Sequence, residues 1–269
     1  MIVNNHKGLL LMRHDYLHER DWRSDDSYKL IFSPYGDTDY QTNQGDITIK
    51  HNEFLILNPK TDHKQLKATK EKFLIELQPT LIKDTAEQLG IKMIEPEFSL
   101  LTLKHNLVSR WTSFIRDFLT SNQDIQPGSN QLFLENSLAQ ISILILQHGA
   151  GSHQNHLSTV GGGDIINDVL QALKQSYQHE WTLDDMAKIA RMGKYQFAHL
   201  FKEEVGRSPY SWLQLYRLFR SQEPLLKTNY SILSIALEHG FSSVSSYNQL
   251  FKKVYGKTPT HFRSLHRYP

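Results

Sequence analysis

The 269-residue sequence contains no cysteine. Disulfide bridges and thiolate metal sites are therefore excluded, and a reducing compartment such as the cytoplasm is expected. Long hydrophobic runs are also missing, since the longest, residues 141–146, is interrupted by Ser142, whereas a membrane-spanning helix needs about 20 apolar residues. The start of the chain has no small-residue cleavage site, so neither a signal peptide nor membrane association is expected.

Acidic residues are scarce at the C-terminal end. Residues 227–269 contain six Lys or Arg and one acidic residue, whereas residues 1–160 contain 16 basic and 19 acidic ones. A local concentration of positive charge favours contact with a polyanion.

The N-terminal part, residues 1–100, is predicted to form a domain whose short strands lie between Leu9 and about Pro79. Apolar stretches such as EFLILNP and KFLIEL alternate with Gly, Pro, Asn and Asp turns, a pattern typical of an antiparallel barrel. Inward-facing aromatic side chains would line a ligand pocket in such a barrel. The candidate pocket residues are Tyr28, Phe32, Tyr40 and Phe54. No metal is expected there, because the strands contain no His-x-His pair and His63 stands alone.

The next segment, residues 101–148, follows the spacing of amphipathic helices, which we place at 104–121 and 131–147. The second helix is apolar on much of its circumference, so it needs cover on more than one side, and a homodimer is expected to supply it. Residues 149–163, GAGSHQNHLSTVGGG, are rich in Gly, Ser and His and are expected to form a flexible linker. Residues 164–269 then form a helical domain.

The most informative feature is an internal repeat at an offset of 50. The tripeptide Leu-Phe-Lys at 200–202 recurs at 250–252, Gly206 recurs as Gly256, and Pro209 recurs as Pro259. Each copy has the pattern of a short helix, a tight turn that contains glycine, and a second helix. This is the signature of a helix-turn-helix unit.

The second helix of each copy has an apolar face, which we call its back, and a polar face, which we call its front. Such a helix suits the major groove of DNA. A further helix between the copies, at about 209–223, could place both in successive grooves. The candidate base-reading residues are Tyr195, Gln196, His199, Ser245, Ser246, Asn248 and Gln249. The candidate phosphate contacts are Lys194, Lys202, Lys252, Lys253 and Lys257.

Residues 181–263 resemble the DNA-binding domain of the AraC/XylS family of transcription regulators. The resemblance rests on SPYSWLQLYR, on ILSIALEHGFSSVSSYNQLFKKVYGKTP and on His261-Phe262-Arg263. It implies an α+β fold: an N-terminal antiparallel β-barrel of the cupin type with a helical dimerisation segment, and then an all-α domain of two helix-turn-helix units joined by a linker helix.

Two positions depart from the family pattern. Pro224 stands where the family usually has an apolar helix residue, so we expect the linker helix to end early or kink. Ala198 stands where some members have a long polar base reader, so a weaker contact is expected from the first unit.

The function expected is that of a sequence-specific DNA-binding transcription regulator, more an activator than a repressor. Its expected partners are double-stranded promoter DNA, a second copy of the chain, RNA polymerase, and a small-molecule effector at the barrel. No cofactor and no enzymatic activity are expected. The alternative is a cupin-type enzyme or metal-dependent binding protein with an accessory helical domain, which would be distinguished by metal in the purified protein.

Overall fold

The computed structural model describes residues 2–14, 19–68, 71–91, 95–121, 127–153 and 163–266. The chain divides into two compact units, Met1–His153 and Gln154–Pro269. The first contains antiparallel sheets and helices, and the second is helical in its described part. The predicted α+β class is confirmed. No helix of the described residues is both long and apolar enough to cross a bilayer.

Two antiparallel sheets form the first unit. Their strands are β1 (Ile2–Asn5), β2 (Gly8–His14), β3 (Tyr28–Phe32), β4 (Thr38–Thr42), β5 (Gly45–Ile49), β6 (Phe54–Leu57), β7 (His63–Ala68) and β8 (Glu71–Leu77). The larger sheet has the strand order β1-β2-β8-β3-β6, and the smaller has the order β5-β4-β7. In the larger sheet Leu30 of β3 pairs with Ile56 of β6 on one side and with Ile75 of β8 on the other.

The larger sheet is covered on both faces, because successive side chains of a strand point to opposite sides. Tyr28, Leu30 and Phe32 of β3 belong to a cluster shared with helices, which we call the outer cluster. Ile31 belongs to a second cluster, shared with Tyr40 of the smaller sheet, which we call the inner cluster. Strands β3 and β6 are buried at every residue, which explains their nearly continuous apolar sequences.

Three helices of the first unit cover the outer face of the larger sheet. They are α1 (Pro79–Gln88), α2 (Asn106–Ser121) and α3 (Pro127–His148). Ile115 of α2 and Leu138, Ile141 and Ile145 of α3 are buried in the outer cluster. The sheet therefore covers much of the apolar surface that the sequence shows on α3.

The start of the expected linker is packed against the first unit. The backbone N–H of Ser99 donates to the carbonyl of Ala150, and that of Ser152 donates to the carbonyl of Glu97, both at 2.8 Å. A Cβ on Gly149 would lie 2.5 Å from the carbonyl oxygen of Ile145. Residues 149–152 are therefore packed against the first unit, because their small side chains let the chain return close to α3. The expected linker residues 154–162 lie outside the described residues.

The second unit consists of seven helices, counted over its described residues. They are α4 (Asp164–Gln175), α5 (Leu183–Ile189), α6 (Lys194–Val205), α7 (Pro209–Lys227), α8 (Ile232–Glu238), α9 (Val244–Tyr255) and α10 (Pro259–His266). Helix α5 packs on α6, and α8 packs on α9. Helix α7 lies between these two pairs in sequence and contacts members of both. We call α5–α6 the first repeat and α8–α9 the second.

Helix α7 continues through Pro224 to Lys227, so the expectation that it ends early is wrong, and the alternative of a kink stays a prediction. Proline has no N–H, and the carbonyl four residues earlier, that of Arg220, therefore lacks its helical donor. The ring of His239 contacts this carbonyl. The helix keeps its 19 residues, about 28 Å in length.

Polar side chains around His63 form a buried network in the first unit. The ring Nδ1 of His63 hydrogen-bonds with the carbonyl of Thr61 at 2.7 Å, and its Nε2 accepts from Nε of Arg23 at 3.3 Å. The carboxylate of Asp25 lies 3.7 Å from the same Nε2 and is also bonded to the buried Lys29. Burial lowers the pKa of His63 to about 4, against the smaller raising effect of the Thr61 carbonyl.

We expect the free energy of unfolding to decrease as the pH is lowered from about 6.5 toward 4, because the unfolded chain then binds a proton that folded His63 rejects. The stabilisation is present above the ordinary pKa of about 6.5 and is lost below it. In His63→Asn the side chain cannot titrate, so the decrease should be smaller. Urea unfolding of both proteins at about pH 7 and about pH 5 measures the difference. An equal decrease in the two proteins would show that His63 contributes nothing to it.

Candidate nucleic-acid interface

Helices α6 and α9 are each held by a pair of buried aromatic side chains. Phe197 and Phe201 of α6, and Tyr247 and Phe251 of α9, are fully buried. The two rings of each pair meet edge to face at 5.6 Å in both helices. A 12-residue helix is marginal on its own in water, and each buried aromatic contributes about 1.5–3 kcal/mol. These anchors therefore keep the two helices in place and leave their opposite faces to solvent.

The turns within the two repeats have the same backbone form with different residues. Each contains one residue in the left-handed region, Arg191 with φ 53° in the first repeat and Gly240 with φ 82° in the second. The glycine of the first turn, Gly193, has an ordinary φ of −66° and is the N-cap of α6. A side chain is thus tolerated at this position of the turn, and the glycine at 240 needs another explanation.

The basic side chains on the exposed front of α6 lie beside acids. Tyr195 is 81% exposed, and the Nζ of Lys194 lies 5.7 Å from its ring and 3.8 Å from a carboxylate oxygen of Asp184. Nδ1 of His199 lies 3.5 Å from a carboxylate oxygen of Glu203. This front is therefore available to a ligand, but its positive charge is largely balanced. Of the other candidates in α6, Gln196 and Lys202 are exposed, and Ala198 is half-buried.

The front of α9 is uncharged toward its N-terminus. Ser245 and Gln249 are exposed, whereas Ser246 and Asn248 are half-buried. The hydroxyl of Ser246 donates to the carbonyl of Ser243 at 2.8 Å, so its proton is engaged within the helix cap. The amide oxygen of Asn248 is buried without a hydrogen-bond partner among the described residues. Gln249 can therefore present both its amide oxygen and its amide nitrogen to a ligand directly. Asn248 can do so only after its side-chain amide rotates.

The last turn of α9 carries unbalanced positive charge. Lys252 and Lys253 are exposed, and over the described residues neither has a carboxylate within 4.0 Å. Lys257, just beyond the helix, is half-buried. Glu238, the one acidic residue of 227–269, accepts a hydrogen bond from Ser234 at 3.0 Å. The second repeat is therefore the more electropositive of the two.

The four candidate pocket residues do not lie together. Tyr40 is in the inner cluster, whereas Tyr28, Phe32 and Phe54 are in the outer cluster, packed with the helices. The physical reason is strand alternation, which directs these three side chains away from the smaller sheet.

The inner side of the first unit holds a buried lysine that the sequence did not single out. Lys72 donates to the side-chain oxygen of Gln65 at 2.9 Å, and its Nζ lies 5.4 Å from the centre of the Tyr40 ring. Burial is the main reason why the pKa of Lys72 is lowered to about 7. Nearby cations add to this effect, and Arg23 contributes the most among them. The polar alternation of β7, HKQLKA, is the signal that could have identified this polar interior. In the described ranges, no three potential metal ligands cluster.

Comparison with known proteins bears on the second unit. The family model described as a helix-turn-helix domain matches residues 186–264. The HTH-type transcriptional regulator ExsA of Pseudomonas aeruginosa is 35% identical over 91 residues, 34% of this chain and 33% of its own. The transposon Tn10 TetD protein of Escherichia coli is 33% identical over 99 residues, 37% of this chain and 72% of its own. This chain belongs to the AraC/XylS family.

The AraC/XylS resemblance predicted from the sequence is therefore confirmed. The virulence regulon transcriptional activator VirF of Yersinia enterocolitica is also similar, at 34% identity over 91 residues, which are 34% of each chain. The match spans about a third of the length of most of these relatives. The family model's match, residues 186–264, falls on the second unit of this AraC/XylS protein, where both repeats lie.

Ser243 caps α9, and we expect Ser243→Ala to lower the free energy of unfolding by about 1 kcal/mol. Its hydroxyl oxygen accepts from the backbone N–H of Ser246 at 3.1 Å, and alanine cannot replace this acceptor. Ser245→Ala, the same substitution at an exposed position of the helix, should change the free energy by less than about 0.5 kcal/mol. Urea unfolding measures both. Equal effects would show that the cap does not stabilise α9.

Proposed function

We propose that this protein is a sequence-specific DNA-binding regulator of transcription, more an activator than a repressor. The proposal rests on the doubled helix-turn-helix. In each copy the second helix packs its aromatic side chains on one face and exposes the opposite face to solvent. The names of ExsA, a transcriptional regulator, and VirF, a transcriptional activator, support it. Such a protein meets its DNA in the cytoplasm, and RNA polymerase is the partner that an activator contacts there.

The proposed binding mode places α6 and α9 in successive major grooves on one face of the duplex. Such grooves recur about every 34 Å. Helix α7, about 28 Å long, joins the two repeats without a break at Pro224 and is of the length required to separate the two recognition helices.

The two kinds of contact are divided between different side chains. Gln249, with Ser245 and Asn248, is proposed to read base edges, because an amide offers the donor and acceptor pair that adenine matches. Lys252 and Lys253 are proposed to neutralise phosphates, which supply affinity without sequence preference. In the first repeat, Tyr195 and His199 occupy the corresponding front, but nearby acids reduce its attraction for phosphates. We therefore propose that the second repeat dominates binding.

We further propose that α2 and α3 form a homodimer interface. Part of the apolar surface of these two helices is covered within the first unit, where Ile145 is buried and Trp111 and Phe133 are partly buried. Among the described residues, four large apolar side chains of the two helices remain exposed, and these are Leu107 (50%), Phe114 (59%), Leu132 (63%) and Ile143 (37%). Leu107 and Phe114 are seven residues apart, so they lie on one face of α2. A second copy of the chain would bury this apolar seam.

Control by a small molecule is proposed at the inner cluster, around Tyr40. Lys72 is 7% exposed and its side chain contacts Gln65 and Tyr40. A buried ammonium that is surrounded by other cations favours a ligand with a negative charge. Operator binding measured with and without candidate small anions, in the wild type and in Lys72→Met, tests this part of the proposal. An anion effect of the same size in Lys72→Met would exclude this site.

Gln249→Ala should weaken binding to the true operator by about 1–3 kcal/mol and relax the preference at one or two base pairs. Asn248→Ala should act in the same direction.

Lys253→Gln should weaken binding to specific and scrambled DNA alike and reduce the slope of log K against log salt by about one. The operator is first obtained by selecting bound fragments from genomic DNA, and affinities are then measured across a salt series.

A matched control for Lys253 is Lys83→Gln, because Lys83 is an exposed lysine on α1, in the first unit and outside both repeats. It should leave the salt dependence unchanged. Equal losses on specific and scrambled DNA for Gln249→Ala would remove Gln249 from the base-reading role.

Phe114→Glu should convert the dimer into a folded monomer, because a carboxylate cannot be buried in an apolar seam without a partner. Leu233→Glu is the matched control, since Leu233 is 51% exposed but lies on α8. Light scattering measures the mass, and circular dichroism measures the helical content. A monomeric wild-type protein at tens of micromolar, or a dimeric Phe114→Glu variant, would contradict the proposed interface.

A further inference from the structure

Three segments of the second unit meet at Arg217, in the middle of α7. Its side chain is buried, and the residue is 3% exposed. Its Nε donates to the carbonyl of Tyr177 at 2.7 Å, and its Nη2 donates to the carbonyl of His179 at 2.6 Å. These carbonyls belong to the segment that joins α4 to α5 and therefore leads into the first repeat. Arg217 thus fixes the linker helix to the first repeat.

The turn of the second repeat packs against the same point. A Cβ on Gly240 would lie 2.8 Å from the carbonyl oxygen of Gln178 and 2.9 Å from Nε of Arg217. At the equivalent place in the first repeat, Arg191 carries a full side chain with a similar backbone conformation. Glycine at 240 is therefore required by the close approach of the first repeat's entry segment, and not only by the conformation of the turn.

A second contact joins the same turn to α7. His239 is 8% exposed, its Nδ1 lies 2.8 Å from the carbonyl oxygen of Ile235, and its ring also contacts the carbonyl of Arg220. This is the carbonyl that Pro224 leaves without a helical donor. The linker helix is therefore bonded to the entry segment of the first repeat through Arg217 and contacts the turn of the second repeat at Arg220.

We infer that the contacts made at Arg217 and Gly240 fix the distance and angle between α6 and α9. They thereby set the spacing between major-groove contacts that the protein accepts. The inference rests on the proposed function, which it extends from binding to spacing selectivity. The competing explanation is that α7, as a continuous helix, sets the geometry alone and that Arg217 only adds stability. The two explanations differ in what loosening Arg217 does to the relative positions of α6 and α9.

The direct test measures the separation of the two recognition helices without DNA. Because the chain has no cysteine, Glu203→Cys and Lys253→Cys introduce a pair of nitroxide labels at equivalent positions of the two repeats. Double electron–electron resonance on the full-length protein should give a narrow distance distribution in the otherwise unaltered chain. Arg217→Met removes both hydrogen bonds and should broaden or shift the distribution. A distribution as narrow as that of the unaltered chain, at the same mean distance, would overturn the inference.

The matched control is Arg263→Met. Arg263 also donates to two carbonyls, those of Leu225 at 2.9 Å and Tyr230 at 2.8 Å, but these lie at the end of α7 and in the segment before α8. The control therefore loses at least two hydrogen bonds, and these lie away from the first repeat. It should keep the narrow distribution, and equal broadening would overturn the inference. If Arg217→Met does not fold, Gly240→Ala replaces it, because its Cβ separates the same surfaces from the other side.

A second measurement uses operators in which one base pair is inserted or deleted between the two contact sites. One base pair rotates the second site by about a tenth of a turn. The wild type should therefore lose at least about tenfold in affinity on the altered operators. In Arg217→Met the native operator should bind more weakly, and the discrimination between spacings should fall to about threefold or less. Retention of wild-type discrimination would overturn the inference. Failure of the wild type to bind any DNA would instead refute the proposed function. The distances between the labels would still test whether the contacts at Arg217 and Gly240 fix the geometry of α6 and α9.

Discussion

Burial of the aromatic side chains behind α6 and α9 is the constraint on which the helical unit depends. Helices of this length gain most of their stability from packing, so their orientation follows from where these rings are buried. The anchors of the two repeats are not identical. The hydroxyl of Tyr247 lies 3.0 Å from that of Ser221 on α7, whereas Phe197, at the equivalent position, has no polar atom to offer. The second repeat is thus attached to the linker helix by polar contacts as well as by apolar packing.

The two repeats share a backbone plan but differ in their electrostatics. In the first, Asp184 lies beside Lys194 and Glu203 lies beside His199 on the exposed front. In the second, Lys252 and Lys253 extend the front with positive charge that no described carboxylate offsets. Duplication has therefore produced two units with the same shape and different attraction for a polyanion. A weakly attractive first repeat depends more on being held in the correct position relative to its partner, which makes the junction around Arg217 important.

The sequence was sufficient to predict the features that depend on the periodic burial of apolar side chains. The doubled repeat, its turns and its linker helix follow from apolar spacing and from the offset of 50, and the structure contains all of them. Strands β1 and β7 were not anticipated, because IVNN and HKQLKA carry too few apolar residues to stand out from loops. The candidate pocket residues were chosen for aromatic character, and three of them lie on the outer side of a sheet that is buried on both faces. For such strands, alternation in the sequence does not indicate which face is inward. The continuation of α7 past Pro224 was not predicted, because proline removes one helical hydrogen bond locally and no local pattern reports the tertiary contacts of α7.

Coverage of both faces of the larger sheet has a consequence for how the chain exchanges its amide protons with solvent. Strand β8 lies between β2 and β3, and Leu74 and Ile75 pair with residues on both neighbours while their side chains are buried on opposite sides. No small opening exposes these amides, so they should exchange only when the whole first unit unfolds. Their exchange rates give the unfolding free energy of that unit within the intact chain. The amides at the centre of α9 supply the corresponding value for the helical unit, so a single deuterium-labelling experiment reads the two stabilities separately.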